Sequence, residues 1–111
     1  MPSPTNPARR RTAGPLLRSG DTTDAVIEAL REDNPGSELL IQDHGGYLRI
    51  EGEDGLLLRR ETAERALGRP FRMQEIELLM AGYSGMIALT EESARWYFKK
   101  DARTPDGGET R

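Results

Sequence analysis

Apolar residues recur at two periods along this chain, and the changes from one period to the other mark its elements. Leu16 and Leu17 lie in a short run opened by Pro15, and Gly20-Asp21 then turns the chain. A proline at the start of this first strand places it at a sheet edge or at a strand end. Thr23, Val26, Ile27 and Leu30 follow at helical spacing with Glu28, Arg31 and Glu32 opposite, so the pattern predicts a helix that buries one stripe. Asp21 is placed to accept from amides of that helix's first turn, and Asp24 adds negative charge near its positive end. Asn34-Pro35-Gly36 stops it, because a residue before proline disfavours helical angles and Pro-Gly suits the centre of a type II turn. Leu39 and Ile41, Leu48 and Ile50, then Leu56 and Leu58 mark three short strands. The breaks between them, Asp43-His44-Gly45-Gly46 and Gly52-Glu53-Asp54-Gly55, are hairpin-turn residues, and an antiparallel meander is expected.

Residues 61–67 predict a brief second helix with Ala63, Ala66 and Leu67 inward. Gly68 can end it in a left-handed conformation, and Pro70 keeps it from resuming. Beyond, Ile76, Leu78 and Met80 alternate with Glu75, Glu77 and Leu79, the two-residue period of a strand with one buried face. Met73-Gln74-Glu75 favours helix locally, so a further helical turn over residues 72–75 stays open. After the small Gly82-Tyr83-Ser84-Gly85 loop, Ile87 and Leu89 resume the alternation, and Trp96-Tyr97-Phe98 closes the pattern with three of the six aromatic residues. Residues 67–98 thus read as three strands around one small loop. The order β-α-β-β-β-α-(α)-β-β-β gives an α+β fold: a single compact domain of mostly antiparallel strands with helices packed on the sheets.

Composition narrows the chemistry. The 111 residues allow one core. Residues 1–12, with Pro2, Pro4, Pro7 and the triplet Arg9-Arg10-Arg11, and residues 101–111 lack apolar periodicity, so disordered tails are expected around a folded part at 13–100. The arginine triplet is read either as a solvated tail or as an arm that orders on an acidic partner surface. The formal charge is −3, and residues 13–100 hold 11 basic against 16 acidic residues, the wrong balance for a phosphate-binding surface. Nucleic acid is therefore not an expected partner. No apolar run approaches the roughly 20 residues that span a bilayer, and the start lacks a signal-peptide segment, so a cytoplasmic protein, monomeric when free, is expected.

Without cysteine there is no disulfide, iron–sulfur cluster or thiol nucleophile. His44, the single histidine, sits in a glycine-flanked turn and cannot supply the paired Glu-x-x-His motifs of a diiron centre or a four-ligand zinc site. No metal, cofactor or catalytic residue is expected. Ser84 with His44 lacks a nucleophile-elbow motif, and the glycine pairs lack phosphate-loop spacing. Glu75 and Glu77 read as a solvent face. Met73, Met80 and Met86 with Phe71 and Tyr83 suit a core and an interface equally.

Several short motifs in order carry a resemblance. Gly68-Arg69-Pro70-Phe71, Met73-Gln74-Glu75, the Gly85 loop and the closing aromatic strand resemble the effector (coupling) proteins of soluble multicomponent diiron monooxygenases, toluene 4-monooxygenase and the alkene and isoprene monooxygenases above all. Gly14-Pro15-Leu16-Leu17-Arg18-Ser19-Gly20-Asp21 and Asp33-Asn34-Pro35-Gly36 are similar to that family's first strand and first helix end, and the likeness covers residues 13–99. It implies a protein without a cofactor that docks on the large diiron subunit of the hydroxylase. There it reshapes the active site and couples electron delivery and oxygen activation to hydrocarbon oxidation. By the same resemblance the docking residues are Asn34, Arg72, Met73 and Gln74, with Gly82, Tyr83, Ser84, Gly85 and Met86. Gly85 is expected to serve either a positive φ or close approach to the partner. The alternative class is a small α+β adaptor unrelated to oxygenases, which a diiron hydroxylase would not respond to.

Overall fold

The computed structural model describes residues 12–98. The tail expectations for residues 1–12 and 101–111 lie outside these residues, except that Thr12 already belongs to the first strand, opposite Glu53. Seven strands and three helices follow in order: β1 (Thr12–Arg18), α1 (Asp21–Asp33), β2 (Leu39–Asp43), β3 (Tyr47–Glu53), β4 (Leu56–Arg59), α2 (Arg60–Leu67), α3 (Gln74–Leu79), β5 (Met80–Ser84), β6 (Met86–Leu89) and β7 (Ser93–Tyr97). All pairing is antiparallel, in a four-stranded sheet of order β2-β3-β1-β5 and a three-stranded sheet of order β4-β7-β6. The α+β class holds. Trp96, Phe71, Leu17, Leu30, Ile50 and Leu58 are the largest apolar side chains fully out of water in the core.

Five expectations change. β1 is not an edge strand: it lies between β3 and β5, with Pro15 opposite Tyr83. The β1–β3 pairing skips Gly14 and Pro15 and resumes in the same register at Leu16, so the missing proline N–H interrupts a ladder that is intact on either side. The meander stops after one hairpin. β2 and β3 pair in one sheet, but β4 crosses to the other and pairs with β7. The α1 N-cap is Gly20 with no side-chain cap, so Asp21 lies inside the helix, and the buried Thr23 hydroxyl donates to the Arg18 carbonyl.

The fourth change is the largest. Residues 74–79 form a helix, not the start of a strand. Ile76 is buried and Leu79 half-buried, a spacing of three that puts both on one helical face, and Leu78 points away with 77% of its surface exposed. Gln, Glu and Leu are strong helix formers, and propensity here overrides an alternation only three apolar residues long. The expected break at Gly68 is present: it caps α2 at φ 74°, its N–H donating to the Glu64 carbonyl at 2.8 Å.

The strand reading of residues 80–84 also alters the loop. Gly82, Tyr83 and Ser84 belong to β5, and only Gly85 separates it from β6. These two strands do not pair. β5 joins β1 and β6 joins β7, so Gly85 is the point where the chain passes from one sheet to the other.

Candidate docking surface

The expected docking residues separate into three places. Asn34 ends α1, and its side chain is committed within the chain. Nδ2 donates to the carbonyls of Leu30 (2.7 Å) and Leu57 (2.8 Å), and Oδ1 accepts from the Leu57 N–H at 3.0 Å. Asp33 does the same for α2, accepting from the Arg59 N–H at 2.7 Å and the Thr62 hydroxyl at 2.8 Å. The Asp33-Asn34 pair therefore bolts the first helix to β4 and the start of α2. Asn34→Ala is expected to cost about 2 kcal/mol in urea unfolding, because it strands the Leu57 N–H and carbonyl together, while the Leu30 carbonyl keeps the backbone N–H of residue 34.

Arg72 and Gln74 are exposed at the start of α3, but Met73 between them is buried in the core, with only 2% of its surface exposed. Arg72, Met73 and Gln74 line a cleft of about 240 Å³ with Arg60 and Glu91. Arg60 is pinned to the β6–β7 turn, its N–H donating to the Glu92 carbonyl at 2.8 Å and its guanidinium 3.1 Å from the Glu92 carboxylate.

Glu75, expected on a strand face, instead closes the first turn of α3. Its carboxylate accepts from the Arg72 N–H at 3.1 Å and lies 3.2 Å from the Arg69 guanidinium, which holds the carboxyl below the usual glutamate range, with the backbone N–H assisting. A depressed folded value means that stability is present above the ordinary glutamate range and is lost as pH falls through the lower, folded one. Glu75→Gln is expected to cost a few tenths of a kcal/mol at neutral pH, the pair being partly exposed. In thermal melts the difference from wild type should close once the Glu75 carboxylate of the wild type is protonated.

The third place is the Gly85 corner. Tyr83 is 48% and Met86 38% exposed, with Ser84 half-buried between them. Ser84 does not meet His44, which lies in the exposed β2–β3 turn with its N–H bonded to the Tyr47 carbonyl. Its hydroxyl donates to Glu51 Oε2 at 2.8 Å, and Glu51 also accepts from the Thr12 hydroxyl at 2.9 Å and sits 3.5 Å from Arg49. This network straps β1, β3 and β5 together across one face of the sheet. It gives Ser84 a structural hydrogen bond and not a general base oriented by a third group.

Gly85 has φ 84°, and a Cβ there would stand 2.5 Å from the Tyr97 carbonyl oxygen and 2.9 Å from the Ala13 Cβ. The close approach is therefore to the chain's own backbone. Leu78 was missed as a surface residue because residues 76–80 read as a strand; the helical pairing of Ile76 with Leu79 is the signal that points it outward. Glu51 had no sequence signal, since only strand pairing brings it to Thr12 and Ser84. Among the described residues no group of three or more His, Cys, Asp or Glu is placed to hold a metal, and no helix is long and apolar enough to cross a membrane.

The sequence profile of the MmoB/DmpM family matches residues 11–97, the whole of the fold just described up to its last strand. The chain belongs to the MmoB/DmpM family. It is 41% identical over 86 residues to the effector subunit of the alkene monooxygenase system of Xanthobacter autotrophicus (strain ATCC BAA-1158 / Py2), covering 78% of this chain and 85% of that protein. It is also 41% identical over 60 residues to the phenol 2-monooxygenase stimulatory component DmpM of Pseudomonas sp. (strain CF600), covering 54% of this chain and 64% of that one. Two solved structures of a phenol hydroxylase–regulatory protein complex contain chains of the same fold. One aligns with TM-score 0.69 at 26% identity over 80% of this chain and the whole of its own, the other with TM-score 0.63 at 28% identity over 78% of this chain and the whole of its own. These MmoB/DmpM relatives are effector and stimulatory components, not catalytic subunits.

Proposed function

We propose that this chain is the cofactor-less effector component of a soluble diiron monooxygenase, and that it binds the hydroxylase component in the cytoplasm. The observation that carries the reading is the family match over residues 11–97, together with an effector relative aligned over 85% of its length. The fold likeness to regulatory chains in complex with phenol hydroxylase supports the hydroxylase as partner. A protein of this kind acts by binding one hydroxylase conformation more tightly than another, so that docking energy shifts the population toward a state that couples electron delivery to oxygen activation. The substrate class is an alkene, isoprene included, or an aromatic hydrocarbon.

On this chain the docking surface comprises the exposed members of the expected set, Arg72, Gln74, Tyr83, Gly85 and Met86, with Leu78 added from the structure. Exposed apolar side chains such as Leu78, Tyr83 and Met86 together with polar ones such as Arg72 and Gln74 are the composition of a protein–protein contact. The test is steady-state turnover by the hydroxylase and reductase of the same system, titrated with this chain. Product formation per NADH consumed is expected to rise and to saturate near one chain per active site. Turnover indifferent to the chain at every ratio overturns the reading in favour of an adaptor unrelated to oxygenases.

A further inference from the structure

The two faces of the second sheet differ in composition. Side chains alternate along a strand, so on β7 Ala94 and Trp96 point into the core, and Ser93, Arg95 and Tyr97 point out. Strand pairing adds their neighbours to the same outer face: Arg59 and Leu57 of β4 lie opposite Ser93 and Arg95, and Ala88 and Met86 of β6 lie opposite Arg95 and Tyr97. Arg95 is thus the centre of that face. Half-buried Leu57 and exposed Ala88 flank it directly, Met86 and the half-buried Tyr97 form the next row, and Arg59 stands on the diagonal about 7–8 Å away.

The charge of that face runs against the rest of the domain. Residues 12–98 hold 9 arginines and 16 aspartates and glutamates, so carboxylates exceed guanidinium groups by 16 − 9 = 7. Arg49, Arg60, Arg65 and Arg69 each pair with one of them. Among the described residues the Arg95 guanidinium forms no ion pair or hydrogen bond, and its cross-strand neighbours on both sides are apolar. Arg59 shares a hollow with Glu61 and Glu92 and pairs with neither. Arginine in apolar surroundings is a residue type that carries binding energy at protein interfaces, because its planar fork of donors takes a carboxylate in two parallel hydrogen bonds. The face also continues into the Gly85 corner, since Met86 belongs to both.

We propose that the outer face of the β4-β7-β6 sheet docks on the hydroxylase, with Arg95 seated on a carboxylate of that partner and Leu57, Ala88, Met86 and Tyr97 forming the apolar surround that keeps water from the pair. This rests on the effector reading above. A nucleic acid or an anionic membrane fits poorly, because either brings a continuous array of negative charge against a domain that is itself acidic. The competing occupant is a second copy of this chain, whose carboxylates are in excess.

The experiment uses the full chain carrying Arg95→Gln, Arg95→Glu or Ala88→Trp, with Arg31→Glu on the exposed side of α1 as the control. Affinity for the hydroxylase of the same system is measured by titration, melting temperature by circular dichroism and mass by sedimentation. Arg95→Gln is expected to bind about tenfold more weakly and Arg95→Glu more weakly still. Ala88→Trp keeps the charge but obstructs the seat, and it should lose at least as much as Arg95→Gln. All three should melt like wild type, since both positions are exposed, and the control should bind like wild type. Affinity of Arg95→Glu or of Ala88→Trp equal to that of wild type overturns this inference and leaves the effector reading intact. So does a melting temperature that falls in step with binding in Arg95→Gln, which assigns Arg95 to the fold. A wild-type dimer that Arg95→Glu dissociates, with hydroxylase binding unchanged, gives the face to a second copy and overturns it too. If wild type itself does not bind the hydroxylase, the effector reading fails and takes this inference with it.

Discussion

Trp96→Ala is expected to remove about 4 kcal/mol of stability, within the range measured when large aromatic side chains are deleted from cores. Trp96 is fully buried on β7, the central strand of its sheet, with Leu56 of β4 and Ile87 of β6 as its cross-strand neighbours. Truncation there opens a cavity in the middle of three strands that no neighbour can fill without breaking a ladder. A domain of this size has roughly 5–15 kcal/mol in total, so the variant should unfold at much lower urea by circular dichroism. Trp96→Phe should cost far less. The indole Nε1 is buried with no acceptor among the described residues, so phenylalanine forfeits volume but no hydrogen bond. A Trp96→Ala midpoint within about 1 kcal/mol of wild type would show that the second sheet is not closed around this residue.

Gly85→Ala and Gly85→Asn are both expected to destabilise the protein by about 2 to 3 kcal/mol. Asparagine tolerates positive φ, so it would rescue the position if backbone angle were the whole requirement. It is not. Any Cβ meets the Tyr97 carbonyl oxygen at 2.5 Å, and a backbone atom held in the β6–β7 pairing cannot step aside as a flexible side chain can. Overpacking of this kind costs about 1–3 kcal/mol on top of the angular strain left in alanine. Urea midpoints decide it: Gly85→Asn close to wild type would restrict the role of Gly85 to its dihedral angle.

The fold class and the C-terminal ends of α1 and α2 were legible, the latter because they are local. The Gly68 stop, the stripe of Val26 and Leu30, and the Asn34-Pro35 break each depend on residues within a turn of one another. Strand partners were not legible. Nothing near Pro15 says that residues 80–84 will lie beside it, and nothing in Leu56-Leu57-Leu58 says that this strand leaves its neighbour to join residues 93–97. The docking set shows the same division. Exposure of Arg72, Gln74, Tyr83 and Met86 agrees with a surface role, whereas Met73 and Asn34 belong to recognisable motifs whose residues are spent on packing and on hydrogen bonds to β4. A motif shared by a family marks what the fold needs as readily as what the partner touches.

Strand order also constrains how the chain can be assembled during synthesis. β1 is made first but is a central strand, and one of its two neighbours, β5, is not complete until Ser84; β7 is made last and is the centre of the other sheet. A nascent chain that ends before Ser93 can form the β2–β3 hairpin and the helices, yet it leaves β4 and β6 with no strand between them. Closure of the second sheet must then wait for the last strand to clear the ribosome. Pairings separated by so much sequence make folding slow relative to helical domains of equal length. A stop codon that removes only β7 would take out the middle of a sheet rather than fray its edge.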